Sequence, residues 1–553
     1  MQKRSKIKLF LLSILIFTAC KAPINNIDNY ADIVLFNGNI ITVDRNFNIY
    51  EAIAIKNNKI LNVGNYKKIE SLIGPKTFLF DLKGKSALPG FIDSHIHFLM
   101  TLQTSKYINL RPENITTLDD LLHKIKERSL HVNPGEWIIG FGWDQDKIVW
   151  PENREYRWPT KKDLDTVAPN NPVILFRIGG HSAVVNSFAL KLAKIDNNTK
   201  SIAGGEITKF KNGELTGILK ENAINMVSKF IPEINITSKE LEKFCYLVLS
   251  KGLTNIEEAN LTTNGLNFYK EAFYNGEVPI RVNSLLSANE LDYLIENRIK
   301  TPYDVIPQRL RICGVKFFAD GALGERTAAL KQPYSDDPEN FGMLIKPENW
   351  FVNMFTKAHS HGIQTATHAI GDLATEVILK ANYISYLKLG KRQGLYRDRI
   401  EHCQVLSPPL IAKFSKQNII ASIQFSFWSS DKFWAEERLG SDRIKYAYAW
   451  NELLNKKIMV SGGTDSPVET YIPFEGLENI VKESGIPIKE AIKFYTYNAA
   501  YASFQEQYLG SLEKGKLADL IVLSNNILTI PTEEISELQV IMALINGKIV
   551  HKQ

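Results

Sequence analysis

The feature that most constrains this chain is an alternation of strand-like and helical runs sustained over several hundred residues. Eight short apolar runs can be read: "SALPGFIDSH" from Ser86, "GLTNIEEA" from Gly252, "IRVNSLLS" from Ile280 and "ICGVKFFADG" from Ile312, then "GIQTATHAIGD" from Gly362, "RIEHCQVL" from Arg399, "NIIASIQFS" from Asn418 and "KIMVSGGTDSP" from Lys457. Helix-like segments such as "LEKFCYLVLSKG", "WFVNMFTKAHSHG" and "LIAKFSKQN" precede several of them. Strands alternating with helices pack as a parallel sheet covered by helices, and eight such units predict a (β/α)8 barrel.

The two ends of the chain read differently. Residues 31–86 alternate apolar and polar positions with turns at Asn37-Gly38 and Asn57-Asn58, and residues 506–553 do the same with a turn at Asn546-Gly547. Short strands joined by such dipeptides are hairpins. Neither end is long enough for its own stable sheet, so one small β-sandwich built from both ends is expected, flanking a barrel over 87–505. The stretch 125–235 after the first barrel strand is too long for an ordinary loop. It carries "PVILFRIGGHSAVVNS" and a hairpin turning at Asn212-Gly213, and predicts an inserted subdomain at the barrel mouth.

The 553 residues are 44% hydrophobic and 23% charged, the balance of a globular protein. The formal charge is +6, but Lys3, Arg4, Lys6 and Lys8 supply four of those charges before the first acid, so the remainder is near 6 − 4 = +2. No basic run or aromatic RNA motif suggests a nucleic-acid partner. The opening "MQKRSKIKLFLLSILIFTAC" combines a basic start, a short apolar run and small residues before Cys20. It reads as a secretory signal over residues 1–19, too short for a membrane span, with 20–30 as a tether. Cys245, Cys313 and Cys403 are scattered and predict buried apolar thiols, not a disulfide framework or a thiolate metal site.

Chemistry concentrates where strands end, because barrel active sites form there. His95 and His97 flank Ile96, and alternate strand residues share a face, so the two imidazoles point the same way. Lys316 sits within an apolar strand, where an unpaired ammonium is costly. His368, His402 and Asp465 each close another predicted strand. Any one of these is commonplace; six residues of these types closing five different strands form a candidate divalent-metal site. His and carboxylate ligands without thiolate suit zinc with an open coordination position, although other divalent metals compete.

This ordered set resembles the amidohydrolase superfamily, in the family 3 branch of N-substituted formamide deformylase-like proteins. The likeness rests on "LPGFIDSHIHF", "GEWIIGFGWDQ", "PVILFRIGGHSAVVNSFAL", "GVKFFADGALGERTAAL", "ATHAIGD", "RIEHCQVL", "GGTDSPV" and "GSLEKGKLADLIVL". The resemblance implies a metal-dependent hydrolase of carbon–nitrogen bonds other than peptide bonds, acting on a small-molecule amide or formamide. By the same resemblance His95, His97 and Asp465 hold the more buried ion, His368 and His402 a second, and a carboxylated Lys316 bridges them. If Lys316 stays an amine, a one-metal site of His95, His97, a later His and Asp465 is the alternative. Asp465 doubles as the base that moves the water's proton. Arg177, His181 and Asp320 match family motifs as substrate contacts, although Arg177 reads equally as a structural ion pair. A cyclic-amide hydrolase or a deaminase would use the same ligands, and a non-catalytic binding lipoprotein is the reading from another class.

The Thr18-Ala19-Cys20 ending resembles a bacterial lipoprotein signal, which implies lipidation of Cys20 and an exported protein anchored to a membrane of the cell envelope. Four tryptophans, Trp143, Trp150, Trp428 and Trp434, are candidates for an apolar pocket, with core packing the plainer reading of each, and Glu257-Glu258 for a contact to substrate or metal, with a helix cap the plainer reading. The oligomeric state stays open, a homodimer included.

Overall fold

The computed structural model describes residues 30–553 apart from 153, 155 and 156. The signal at 1–19 and the lipidation position Cys20 lie outside the described residues, as does all of the tether but residue 30.

Eight parallel strands form the barrel: β1 (Phe91–Ile96), β2 (Leu253–Leu261), β3 (Arg281–Ser287), β4 (Leu310–Phe318), β5 (Gln364–Ala369), β6 (Arg399–His402), β7 (Ile420–Gln424) and β8 (Val460–Gly463). Each pairs with the next in sequence order. The ends of the series meet where Ser94 Oγ donates to the Gly462 carbonyl at 2.8 Å and the Asp465 amide donates to the His95 carbonyl at 2.7 Å. That approach requires Gly463, because a Cβ there would stand 2.6 Å from the His95 amide nitrogen.

The covering helices follow from their sequences. Ser238–Leu249 starts at Thr237, whose hydroxyl accepts from the Glu240 amide while the Glu240 carboxylate returns to the Thr237 amide. Its buried Leu241, Phe244, Cys245, Val248 and Leu249 recur at helical spacing and pack against the barrel. Phe244→Ala would cost about 3–5 kcal/mol by emptying that contact. Pro408–Gln417 has proline in its first turn and ends at Asn418 in the left-handed conformation. Cys245, Cys313 and Cys403 are all buried free thiols.

One expected strand is two. Within "SALPGFIDSH", Ser86–Pro89 pairs with Leu520–Leu523 in the sandwich, and the barrel begins only at Phe91. Gly90 joins them against Thr254, where a Cβ would come within 2.2 Å of the hydroxyl. The sandwich has a four-stranded sheet from residues 33–81 and a six-stranded sheet that interleaves N-terminal strands (Asn39–Ile41, Ile49–Tyr50, Ser86–Pro89) with C-terminal ones (Leu520–Leu523, Val540–Ile545, Lys548–Lys552). Leu35, Ile40 and Ile53 share its core with Val522, Met542 and Leu544.

The insertion is a six-stranded sheet of its own, running in sequence from Ile108–Asn109 to Leu215–Glu221. It begins before residue 125, because Ile108–Asn109 pairs in parallel with Ile138–Trp143. The two residues are too short a run to signal a strand by periodicity.

Candidate metal centre

His95 ends β1 fully buried. Its Nδ1 lies 2.5 Å from Glu401 Oε2, which turns Nε2 toward the barrel axis. There Nε2 is 3.4 Å from Asp465 Oδ1 and 3.3 Å from Lys316 Nζ, while His97 Nε2 is 3.3 Å from the same Asp465 oxygen. The ligand atoms of His95, His97 and Asp465 all lie within 4.8 Å of one another. His402 Nδ1 faces Gln424 Oε1 at 2.8 Å and Asp465 Oδ2 at 3.9 Å. The His368 ring stands 4.4 Å from that of His402, centre to centre. The six residues selected from the sequence converge at one end of the barrel, from β1, β4, β5, β6 and the turn after β8.

Backbone geometry helps to aim them. His402 (φ 77°) and Asp465 (φ 57°) both occupy left-handed conformations. Strict alternation would send Glu401 and His402 to opposite sides; the positive φ breaks it.

The electrostatics suit a cation. Burial pushes the Asp465 carboxyl up, but His95, His97 and His402 outweigh it and hold it well below the usual range. Burial lowers His97, drives His402 down to about 3 and holds His368 well below the ordinary imidazole value. Neutral His97, His368 and His402 around a carboxylate suit ligation, whereas at His95 burial and Lys316 oppose the charge but Glu401 and Asp465 prevail and raise it. Burial also lowers Lys316 to about 8, against the opposing pull of Glu401 and Asp465. An amine so placed gives up its proton more easily than an ordinary lysine, and the unprotonated form is the one able to take up CO2. The donor set therefore fits a divalent ion held by nitrogen and oxygen, with Lys316 placed to join it.

Behind the donors, Arg399 grips Glu401 through Nε to Oε1 (2.8 Å) and Nη2 to Oε2 (2.9 Å), and also pairs with Glu257. Glu257 is thus a counter-ion. Glu258 is the cap: it accepts from the Leu99 amide at 3.1 Å in the first turn of helix Phe98–Thr104.

A cavity of about 240 Å³ opens beside the donors and is lined by His368, His402, Asp465, Arg177 and His181. Arg177 lines the cavity and forms a structural ion pair, with Asp144 at 2.8 Å and Glu325 at 3.0 Å. His181 Nδ1 lies 2.9 Å from Glu221; burial opposes its charge, but Glu221 prevails and raises it to about 9. Asp320 is corrected. It is fully buried away from the cavity lining and accepts from the amides of Ala329, Ile370 and Gly371 at 2.8–3.0 Å. It anchors the loops after β4 and β5, 3.6 Å from His368 Nε2. Of the tryptophans, Trp434 lines the cavity, whereas Trp143 and Trp150 pack inside the insertion and Trp428 against Tyr448.

Glu401, Arg399, Gln404, Asp431 and Glu469 were not singled out from the sequence. The first two had a signal: Arg399 and Glu401 stand two apart in an apolar strand, the spacing of a same-face buried pair.

Comparisons with known proteins agree with this geometry. Residues 79–551 match the amidohydrolase family. A putative amidohydrolase, YtcJ, of Bacillus subtilis (strain 168) is 33% identical over 91% of this chain and 96% of its own. The N-substituted formamide deformylase of Arthrobacter pascens is 27% identical over 93% of this chain and 97% of its own. The crystal structure of an uncharacterized metal-dependent hydrolase from Pyrococcus furiosus superposes with a TM-score of 0.68 at 30% identity, covering 90% of this chain and all of that one. A match over nearly the whole barrel, joined to this donor set, makes the chain a member of the amidohydrolase family.

Proposed function

We propose that the protein hydrolyses the carbon–nitrogen bond of a small amide or formamide, with Asp465 as the proton carrier. The observation that carries this reading is the convergence of His95, His97 and Asp465 on one point at the edge of a cavity of small-molecule size. His95, His97 and Asp465 would hold one divalent ion, zinc by the character of the donors, and His368 and His402 with carboxylated Lys316 a second. Such an ion supplies Lewis acidity, which polarises a carbonyl and makes water a nucleophile at neutral pH.

The chain's own part is placement and proton transfer. Glu401 fixes the tautomer and angle of His95, and Gln424 those of His402. Asp465, ionised and with Oδ1 turned to the two histidines, takes the proton of the attacking water and returns it to the leaving nitrogen, a contribution of about 10²–10⁴ in rate. Arg177 and His181 orient the substrate from the cavity wall. Similarity to the formamide deformylase favours an N-formyl or N-acyl bond. Residues 1–19 and Cys20 add a location: a lipid-anchored enzyme of a bacterial cell envelope.

The test is hydrolysis of a panel of N-substituted formamides and acetamides by metal-loaded protein, followed by amine release. The expected result is turnover that Asp465→Asn abolishes. A panel without turnover by protein shown to contain metal overturns the reading.

A further inference from the structure

The cavity lining holds polar groups that the hydrolytic step does not use. Acidic side chains outnumber basic ones in its lining. Arg177 occupies Asp144 and Glu325, the histidines occupy Asp465, and Glu113 is exposed at the rim. Asp431 and Glu469 remain. Asp431 Oδ2 accepts from Tyr448 at 2.5 Å and from Gln404 Nε2 at 3.1 Å, and Glu469 accepts from Ser430. Neither meets a cation within ion-pair distance among the described residues. Lys147 lies over the Phe433 ring, 4.3 Å from its centre, and Arg111 donates to the carbonyls of Pro467 and Val468.

Two further groups on this wall point to a missing ligand. Gln404 is 2% exposed, and its Nε2 is fixed by Asp431, which assigns the other end of the amide as the acceptor; that Oε1 has no partner. Glu325 Oε2 is buried and likewise unpaired. Buried polar atoms are nearly always satisfied, so orphaned acceptors lining a cavity mark where a donor-bearing ligand belongs.

Resting on the hydrolase reading above, we propose that this wall recognises a protonated amine on the substrate, so that the preferred substrate is an amide or formamide whose arm carries a cation. Asp431 and Glu469 supply the charge and Gln404 the neutral acceptor. Burial and neighbouring carboxylates raise Glu469 to about 7, against the pull of Arg111, and Asp431 well above its ordinary value, against that of Arg177. Like charges crowded together also exclude an anionic arm.

The experiment compares N-(4-aminobutyl)formamide with N-pentylformamide, matched in length, on metal-loaded wild type, Glu469→Gln and Asp431→Asn. In parallel, calorimetry measures binding of 1,4-diaminobutane against 1-pentanol. Two variants are used because Asp431 also holds Tyr448. The expected result is at least about a tenfold preference in kcat/KM for the aminobutyl substrate in wild type, falling toward unity in each folded variant. Equal or better use of the pentyl compound by wild type overturns the cation assignment and leaves the hydrolase reading intact. Hydrolysis of neither compound, with diaminobutane binding that Glu469→Gln abolishes, supports the cation wall and removes formamide hydrolysis. Neither hydrolysis nor selective diamine binding overturns the proposal.

Discussion

Glu401 holds the inner nitrogen of His95 at 2.5 Å while Arg399 holds both oxygens of Glu401. A charged chain three residues deep thus aims one imidazole. Glu401→Gln keeps the volume and removes the carboxylate. Metal affinity is expected to fall about 10–100-fold, the usual cost of losing the group behind a ligating histidine. Competition with a chromophoric chelator measures it, with circular dichroism confirming the fold.

Under the proposed function Lys316 would decide how many ions the centre holds. With bicarbonate present, elemental mass spectrometry of wild type is then expected to give about two metals per chain, and Lys316→Met about one, because the proposed carboxylated side chain would be lost. One metal in wild type would indicate a plain lysine and a one-metal site.

A prediction about stability concerns a cluster away from the metal. Asp398 is buried and accepts from His359 (3.0 Å), Tyr386 (2.6 Å) and both the amide and hydroxyl of Thr365. Burial pushes its carboxyl up, but His359 and these donors bring it down to about 2. A depressed carboxylate stabilises the fold above its unfolded pKa of 3.8 and loses that effect as pH falls toward 2, a contribution of about 2 kcal/mol. Asp398→Asn should therefore cost about 3 kcal/mol at pH 7 by leaving buried donors poorly matched. Denaturant titrations at pH 7 and pH 3 should show the gap between wild type and variant narrowing in acid; a constant gap would contradict the linkage.

Cys20→Ala tests the anchor. Acyl chains hold a protein to a bilayer and a lone thiol does not. The substitution is expected to abolish palmitate labelling in cells and move the protein from the membrane pellet to the soluble fraction. Unchanged labelling would rule out Cys20 as the attachment point.

The barrel was legible because strand-like runs alternate with helix-like ones, and the candidate donors because strand ends are where a barrel displays chemistry. Spatial partners were not legible. Glu401 meets His95 across 306 residues of sequence, a contact that periodicity cannot supply. Asp320 sits in a motif beside the site, and its sequence does not reveal that three backbone amides claim its oxygens. Asp431 ends the short helix Phe427–Asp431 after β7 and Glu469 lies in the loop after β8, where acidic residues look like solvated surface until the cavity is seen. Ile108–Asn109 escaped notice because two residues carry no period.

The interleaved sheet gives the chain a definite order of assembly. Ser86–Pro89 needs Leu520–Leu523 as its neighbour, and that strand in turn needs Val540–Ile545 and Lys548–Lys552. During synthesis Ser86–Pro89 therefore emerges with an unsatisfied edge and keeps it until Leu520–Leu523 has been made. A chain cut short within its final strands would forfeit the clasp at its beginning, although every metal donor had already been made.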